Sequence, residues 1–494
     1  MSSPSAAGSR VPDSEASIIP GPVKAVLAVL VFTAFVMMLN ETALSVALPA
    51  MMADYGITAA TAQWLLTGFM LTMAVVLPTT GWLLERFTTR SVFLFAAAAF
   101  LVGTIIAALA PTFTVLLIAR ISQAVGTAVV MPLLMTVAMT LVPPQRRGAI
   151  MGLISVVMAV GPALGPTVAG VILSFTSWHG IFWFMVPLVA IAAGIGALKL
   201  INLGEPTSAP LDLVSVILSV FAFGGLVYGL SSIGLILEGQ RSALIILVVG
   251  LVGVVLFIWR QLNQAKKGRA LLDLRPLGVR NYTFSLIVLL TLFGAMLGVL
   301  NTLPLYLQGS LLVTALVAGL VLLPGGLLEG VLSPFAGRLY DRYGPRPLIA
   351  PSMVLVVGSL FWLSTADENS RVWLIIAVHV IFSIGLAGLF TPLMTTALGS
   401  LPKDLYGHGS AILNTLQQLA GAAGTAVMIT IYSGVSASAQ ETGTPETVAL
   451  ADGANSAFLT SAVLTVVALV FSLFITRVDS RAETISEVEP GRDS

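Results

Sequence analysis

Read from its N-terminus, the chain alternates long apolar runs with short polar breaks. A helix that crosses the hydrocarbon of a bilayer needs about 20 apolar residues, with a range of about 17–25. Fourteen runs meet this length: 24–49, 62–84, 91–110, 113–141, 147–174, 179–199, 212–232, 242–262, 282–305, 314–337, 348–364, 372–396, 408–433 and 456–476. The eleventh is the shortest and is expected to extend slightly beyond these limits. No break is long enough for a folded soluble domain. The longest on one side is RQLNQAKKGRALLDLRPLGVRN, and on the other SGVSASAQETGTPETVALADGAN. Any chemistry therefore belongs inside a bundle of helices.

Composition agrees with the pattern. Of 494 residues, 57% are hydrophobic and 9% charged, where a soluble protein carries about 25% charged residues. The chain reads as an all-α polytopic membrane protein. Charge then orients it. Of 23 Lys and Arg residues, Arg241 and Arg371 fall in odd-numbered loops and Arg120 falls inside a span. The other twenty lie in the termini, in even-numbered loops or at the helix ends beside them. This asymmetry predicts cytoplasmic termini in a cell membrane. Residues 1–22 and 478–494 are polar and read as solvated tails; the first is not a signal peptide, because no short apolar region with a cleavage site precedes the first span.

The same inventory excludes several chemistries. There is no cysteine, and the three histidines (His179, His379, His408) form no ligand pair. No phosphate-binding GxxxxGK[ST] occurs, so ATP is not expected as a direct energy source. No nucleophile–base pair or metal cluster is visible, which argues against an enzyme. No cofactor and no nucleic-acid partner is expected, and a monomer suffices.

Two even-numbered loops repeat. GWLLERFTTRSVF starts at Gly81 and GRLYDRYGPRPLI at Gly337. Aligning them pairs Glu85 with Asp341, Arg86 with Arg342 and Arg90 with Arg346. One loop follows span 2 and the other span 10, an offset of eight helices in the same orientation. This predicts two parallel six-helix halves (23–200 and 271–477) separated by two extra helices (201–270). Parallel repeats of this kind surround a midplane site in transporters. In the repeated loops, glycine permits close helix approach. The acid can cap a neighbouring helix N-terminus, and the arginines can pair across an inner gate.

These residues resemble the major facilitator superfamily, whose GxLxDRxGRR-like loops follow the second helix of each half. Glu85 and Thr88 depart from that pattern in the first copy. LNETALSVALP in span 1, LLIARISQAVGTA in span 4, GPALGPTVAG in span 5 and ILNTLQQLAGAAGTA in span 13 narrow the resemblance to its fourteen-helix drug:proton antiporters. The resemblance implies a proton-coupled exporter of lipophilic or cationic drugs or antibiotics that works by alternating access. The alternative is a dedicated exporter of one endogenous metabolite, lipid or antibiotic.

Three charges lie clearly within spans: Glu41, Arg120 and Glu329. Each costs about 2.5–3.5 kcal/mol at a helix centre on insertion scales, so each should face the protein interior or a wet cavity. Glu41 lies about two turns below Pro49, and Arg120 about two turns below Pro111. They share a depth and are expected to approach each other in at least one state. Asn40 and Gln123 would add polar contacts. The acid of the resembling LDxT motif aligns with Asn40, so Glu41 is displaced by about 100° around its helix. Glu329, roughly 13 Å above the inner surface, is the other candidate coupling acid, and the residues leave the choice open. Gly161, Pro162, Gly165, Pro166 and Gly170 predict a kinked, closely packed span 5 at the interface of the halves. Asn40, Trp64, Gln123, Asn301, Tyr306, Asn414 and Gln417 are the expected substrate-binding lining for an amphipathic substrate.

Overall fold

The structure is a computed structural model that describes residues 19–202, 210–237 and 239–477. The C-terminal tail and residues 1–18 of the N-terminal tail lie outside the described residues. Among the described residues, 13 helices are long and apolar enough to cross a membrane, and a bent pair makes 14 when taken as one span. In chain order they are α1 (Gly21–Tyr55), α2 (Thr61–Arg86), α3 (Thr89–Ala108), α4 (Phe113–Leu141), α5 (Arg147–Leu173), α6 (His179–Lys199) and α7 (Leu213–Ser231). There follow α8 (Arg241–Ala265), α9 (Arg280–Gly309), α10 (Ala315–Tyr343), α11 (Arg346–Leu363), α12 (Val372–Gly399), α13 (Tyr406–Glu441) and α14 (Glu446–Ser472). The bent span is α5, which turns by 40° between Pro162 and Leu164, as expected where proline removes a ladder hydrogen bond.

Hydropathy locates where a helix leaves the lipid, and some helices continue further. The polar stretch expected as a loop after span 13 is mostly helix. α13 runs to Glu441 and α14 starts at Glu446. Ala449, Ala451 and Ala454 are buried there, so the two helices stay packed beyond the apolar region. Threonine sets several starts: Thr88, Thr112 and Thr314 each accept the backbone N–H three residues on, which satisfies an otherwise orphaned donor. α11 begins at Arg346, slightly earlier than its apolar run.

Packing repeats with the offset of eight. α1 packs on α5 as α9 packs on α13. α3 packs on α4 and α6 as α11 packs on α12 and α14. The two six-helix groups meet at α5–α10 and α2–α13, and at α4–α13 and α5–α12, again as equivalent pairs. The extra pair stands outside this scheme. α7 leans on α2 and α13, and α8 packs on α7, leaving Leu244, Val248, Leu251 and Val255 exposed. α7 contains one π-helical stretch, Val220–Gly224, facing the small residues of α8: Gly225 lies against Gly250, and Ala222 against Gly253.

Candidate functional site

Arg120 on α4 is fully buried and holds its neighbours by fixed geometry. Its Nη1 donates to Asn40 Oδ1 at 2.9 Å and to Gln123 Oε1 at 2.8 Å. Gln123 Nε2 then donates to Thr104 Oγ1 on α3 at 2.9 Å. The guanidinium carbon lies 4.3 Å from the centre of the Phe69 ring on α2, a cation–π arrangement. One residue therefore ties α1, α2 and, through Gln123, α3 to α4. The hydrogen bond from Arg120 goes to Asn40, the position that aligns with the acid of the resembling motif, and not to Glu41. Arg120 Nε and Nη2, Asn40 Nδ2 and Glu41 Oε2 are buried without a hydrogen-bond partner. Glu41 and Arg120 nevertheless interact through space.

The α1 stretch that carries Asn40 and Glu41 rests on α5. A Cβ on Gly161 would lie 2.9 Å from Met38 Cβ, and one on Gly165 2.9 Å from the Leu39 carbonyl oxygen. Thr42 Oγ1 reaches the Gly161 carbonyl at 3.5 Å. These two glycines thus serve α1, within the same half. Gly170 faces open space. The glycines of α5 that meet the other half are Gly148, against Gly337, and Gly152, against Ser333 and Pro334. Their G-x-x-x-G spacing is a helix-association signal, and it is the sequence feature that points to the seam.

Glu329 on α10 points away from the lipid face. Leu327, Val331 and Phe335 mark that face by exposure, and Glu329 stands about 200° around the helix from Val331. Gly330 lies against Val160 of α5, and Gly325 against His379 and Ser383 of α12. Glu329 falls between these two directions. Among the described residues its carboxylate has no hydrogen-bond partner; its backbone carbonyl accepts from Ser333 at 2.7 Å.

The expected cavity residues separate. Asn40 and Gln123 belong to the Arg120 cluster. Asn414 sits at the seam, donating to the Ser410 carbonyl at 2.8 Å and to Met135 Sδ of α4 at 3.3 Å. Gln417, one turn on, is buried with Nε2 unpartnered. Trp64 stacks on Tyr228 of α7 with ring centres 6.0 Å apart, so it faces the extra pair. Asn301 bonds the Leu297 carbonyl and Thr425 of α13. Tyr306 is fully buried and donates to the Asp367 carbonyl at 2.6 Å, a packing contact at the α11–α12 loop.

The repeated loops close the arginine-rich end with equivalent contacts. Asp341 accepts Gly148 N at 2.7 Å and Ala149 N at 2.9 Å, capping α5 across the seam, where the helix dipole favours an anion. In the first copy, Glu85 Oε1 lies 2.9 Å from His408 Nε2 in the first turn of α13. Gly81 lies against that His408 ring as Gly337 lies against Gly148. Seam hydrogen bonds among the described residues cluster from mid-depth to this end, including Thr391 to Ser155 and the Thr136–Ser410 pair. Arg86 and Arg342 lie over their neighbours Phe87 and Tyr343. Among the described residues, the Arg90, Arg342 and Arg346 side chains make no ion pair across the seam. Arg147, which the sequence did not single out, lies over Tyr406 of α13, 5.7 Å from its ring centre.

The sequence profile of the Major Facilitator Superfamily matches residues 30–425. The lincomycin resistance protein LmrB of Listeria monocytogenes is 40% identical over 455 residues, covering 91% of this chain and 96% of that protein. The LmrB of Bacillus subtilis is 39% identical over 459 residues, with 91% and 95% covered. The human organic anion transporter MFSD10 is 16% identical but superposes with a TM-score of 0.64 over 92% of this chain and 100% of that one, a likeness of fold.

Proposed function

The chain belongs to the major facilitator superfamily, and on that premise we propose that it is a proton-coupled exporter, an antiporter moving lipophilic or cationic drugs or antibiotics by alternating access. The observation that carries the reading is the interior charge set. Arg120 is held by neutral acceptors and keeps two N–H-bearing nitrogens unpartnered, while the Glu41 carboxylate beside it has an unpartnered oxygen. A carboxylate so placed changes its proton occupancy with distance from the cation and with access to water. Glu329 is a second unpartnered acid turned inward from the lipid. Protonated, either acid disfavours a cationic substrate; deprotonated, it attracts one. The arginine-rich, closed end is the cytoplasmic end in this reading, so the conformation is shut toward the cytoplasm. Relatives named for lincomycin resistance support an antibiotic substrate.

The test uses proteoliposomes carrying an internal pH dye, with lincomycin and ethidium as probes. Substrate addition drives proton movement in the native protein, and an uncoupler abolishes uphill transport. Glu41→Gln or Glu329→Gln lowers proton movement per substrate by about tenfold. Native proton movement with neither replacement affecting it would exclude this mechanism. Transport of a single probe out of a broad drug panel would favour the dedicated exporter.

A further inference from the structure

The extra pair has no place in the six-plus-six scheme, yet its arginine-rich end is bonded into the gate. Gln261 on α8 is 1% exposed. Its Oε1 accepts Leu271 N at 2.9 Å and Leu272 N at 3.2 Å, and its Nε2 donates to Ser215 Oγ on α7 at 2.7 Å. Ser215 donates to Asp212 at 2.6 Å, and Arg260 grips Asp212 with two bonds of 2.7 Å. This cap seats the connector that leads from α8 to α9, burying Leu271 and Leu272.

The seated connector then reaches the gate. The next backbone amide, Asp273 N, donates to His408 Nδ1 at 3.2 Å. A backbone N–H only donates, so Nδ1 is the acceptor and the ring hydrogen is on Nε2, directed at Glu85 Oε1. His408 is 3% exposed, and Gly81 closes over the same ring. One imidazole thus joins α2, α13 and the connector.

We propose that the extra pair acts on transport through this connector: the Gln261 cap seats it, and His408 is the positioning residue through which it holds α2 against α13 and keeps the arginine-rich end shut. This rests on the alternating-access reading. Loss of either contact should favour opening of that end without touching the interior charges.

The absence of cysteine allows spin labels at Ser91→Cys and Pro402→Cys, one on each side of the α2–α13 seam. Pulsed dipolar spectroscopy in nanodiscs, with and without lincomycin or ethidium and at acidic and neutral pH, then reports short and long distances. His408→Gln keeps a donor for Glu85 but takes the acceptor away from the ring position that faces Asp273 N, because its amide oxygen branches from the carbon that carries the donor. It should shift the population toward the long distance by about fivefold or more. Gln261→Ala should do the same, and the double variant no more than either, because both break one chain of contacts. A native-like distribution in His408→Gln overturns the proposal, as do additive shifts in the double variant. If Gln261→Ala fails to insert, His408→Gln carries the test alone. A single native distance under every condition would instead count against alternating access itself.

Discussion

Asn40 gives Arg120 a neutral partner, and this choice keeps the guanidinium charge uncancelled in the bundle interior. A carboxylate at that position would hold the same bond and neutralise the charge. Here the acid is one residue on, about 100° around α1, where one of its oxygens is buried without a hydrogen-bond partner. Asn40→Ala should remove a buried bond to a charged group and cost about 1.5–3 kcal/mol, read as a lower thermal midpoint in detergent. An unchanged midpoint would show that the bond contributes nothing. The shared depth of Glu41 and Arg120 was legible in the sequence, because helical rise sets depth. The partner was not, because rotation about the helix axis is decided by how α1 packs on α5.

Helix α5 serves two neighbours along its length. Below its bend, Gly148 and Gly152 admit α10 of the other half; at and beyond it, Gly161 and Gly165 admit α1. Gly337→Ala should drive a methyl group into the Gly148 backbone, with an overpacking cost of about 1–3 kcal/mol, and slow drug efflux from cells by weakening closure of the seam. Gly170→Ala, which meets open space, should leave efflux near native. Equal losses in both variants would show that space at the seam is irrelevant. The α7–α8 cap adds a pH signature. Burial alone raises the Asp212 carboxyl, but hydrogen bonds from Arg260, Ser215 and Gln264 overcome this and hold it well below the usual carboxylate range. A group with a depressed native value stabilises above its unfolded value and loses that contribution as pH falls. Asp212→Asn should therefore lower thermal stability at neutral pH, and the gap should narrow below about pH 3.9. A gap independent of pH would exclude the ionised carboxylate as its source.

The whole molecule is a duplicated bundle with a helix pair leaning on one seam. Charge predicts its orientation: a membrane-impermeant maleimide should label Ser370→Cys in intact cells and Pro347→Cys only after permeabilisation. The reverse pattern would invert the topology and the direction of export with it. The number of spans, the offset of eight and the shared side of the repeated, arginine-rich loops were set by the sequence alone. Each is a one-dimensional property: apolar length against bilayer thickness, a repeated motif, a count of Arg and Lys. The partner of Arg120, the glycines that meet across the halves and the attachment of the extra pair at His408 depend on which faces of helices distant in sequence turn toward one another. Nearly uniform apolar helices leave that rotation unmarked, so only tertiary packing, through small residues and a few buried polar bonds, decides it.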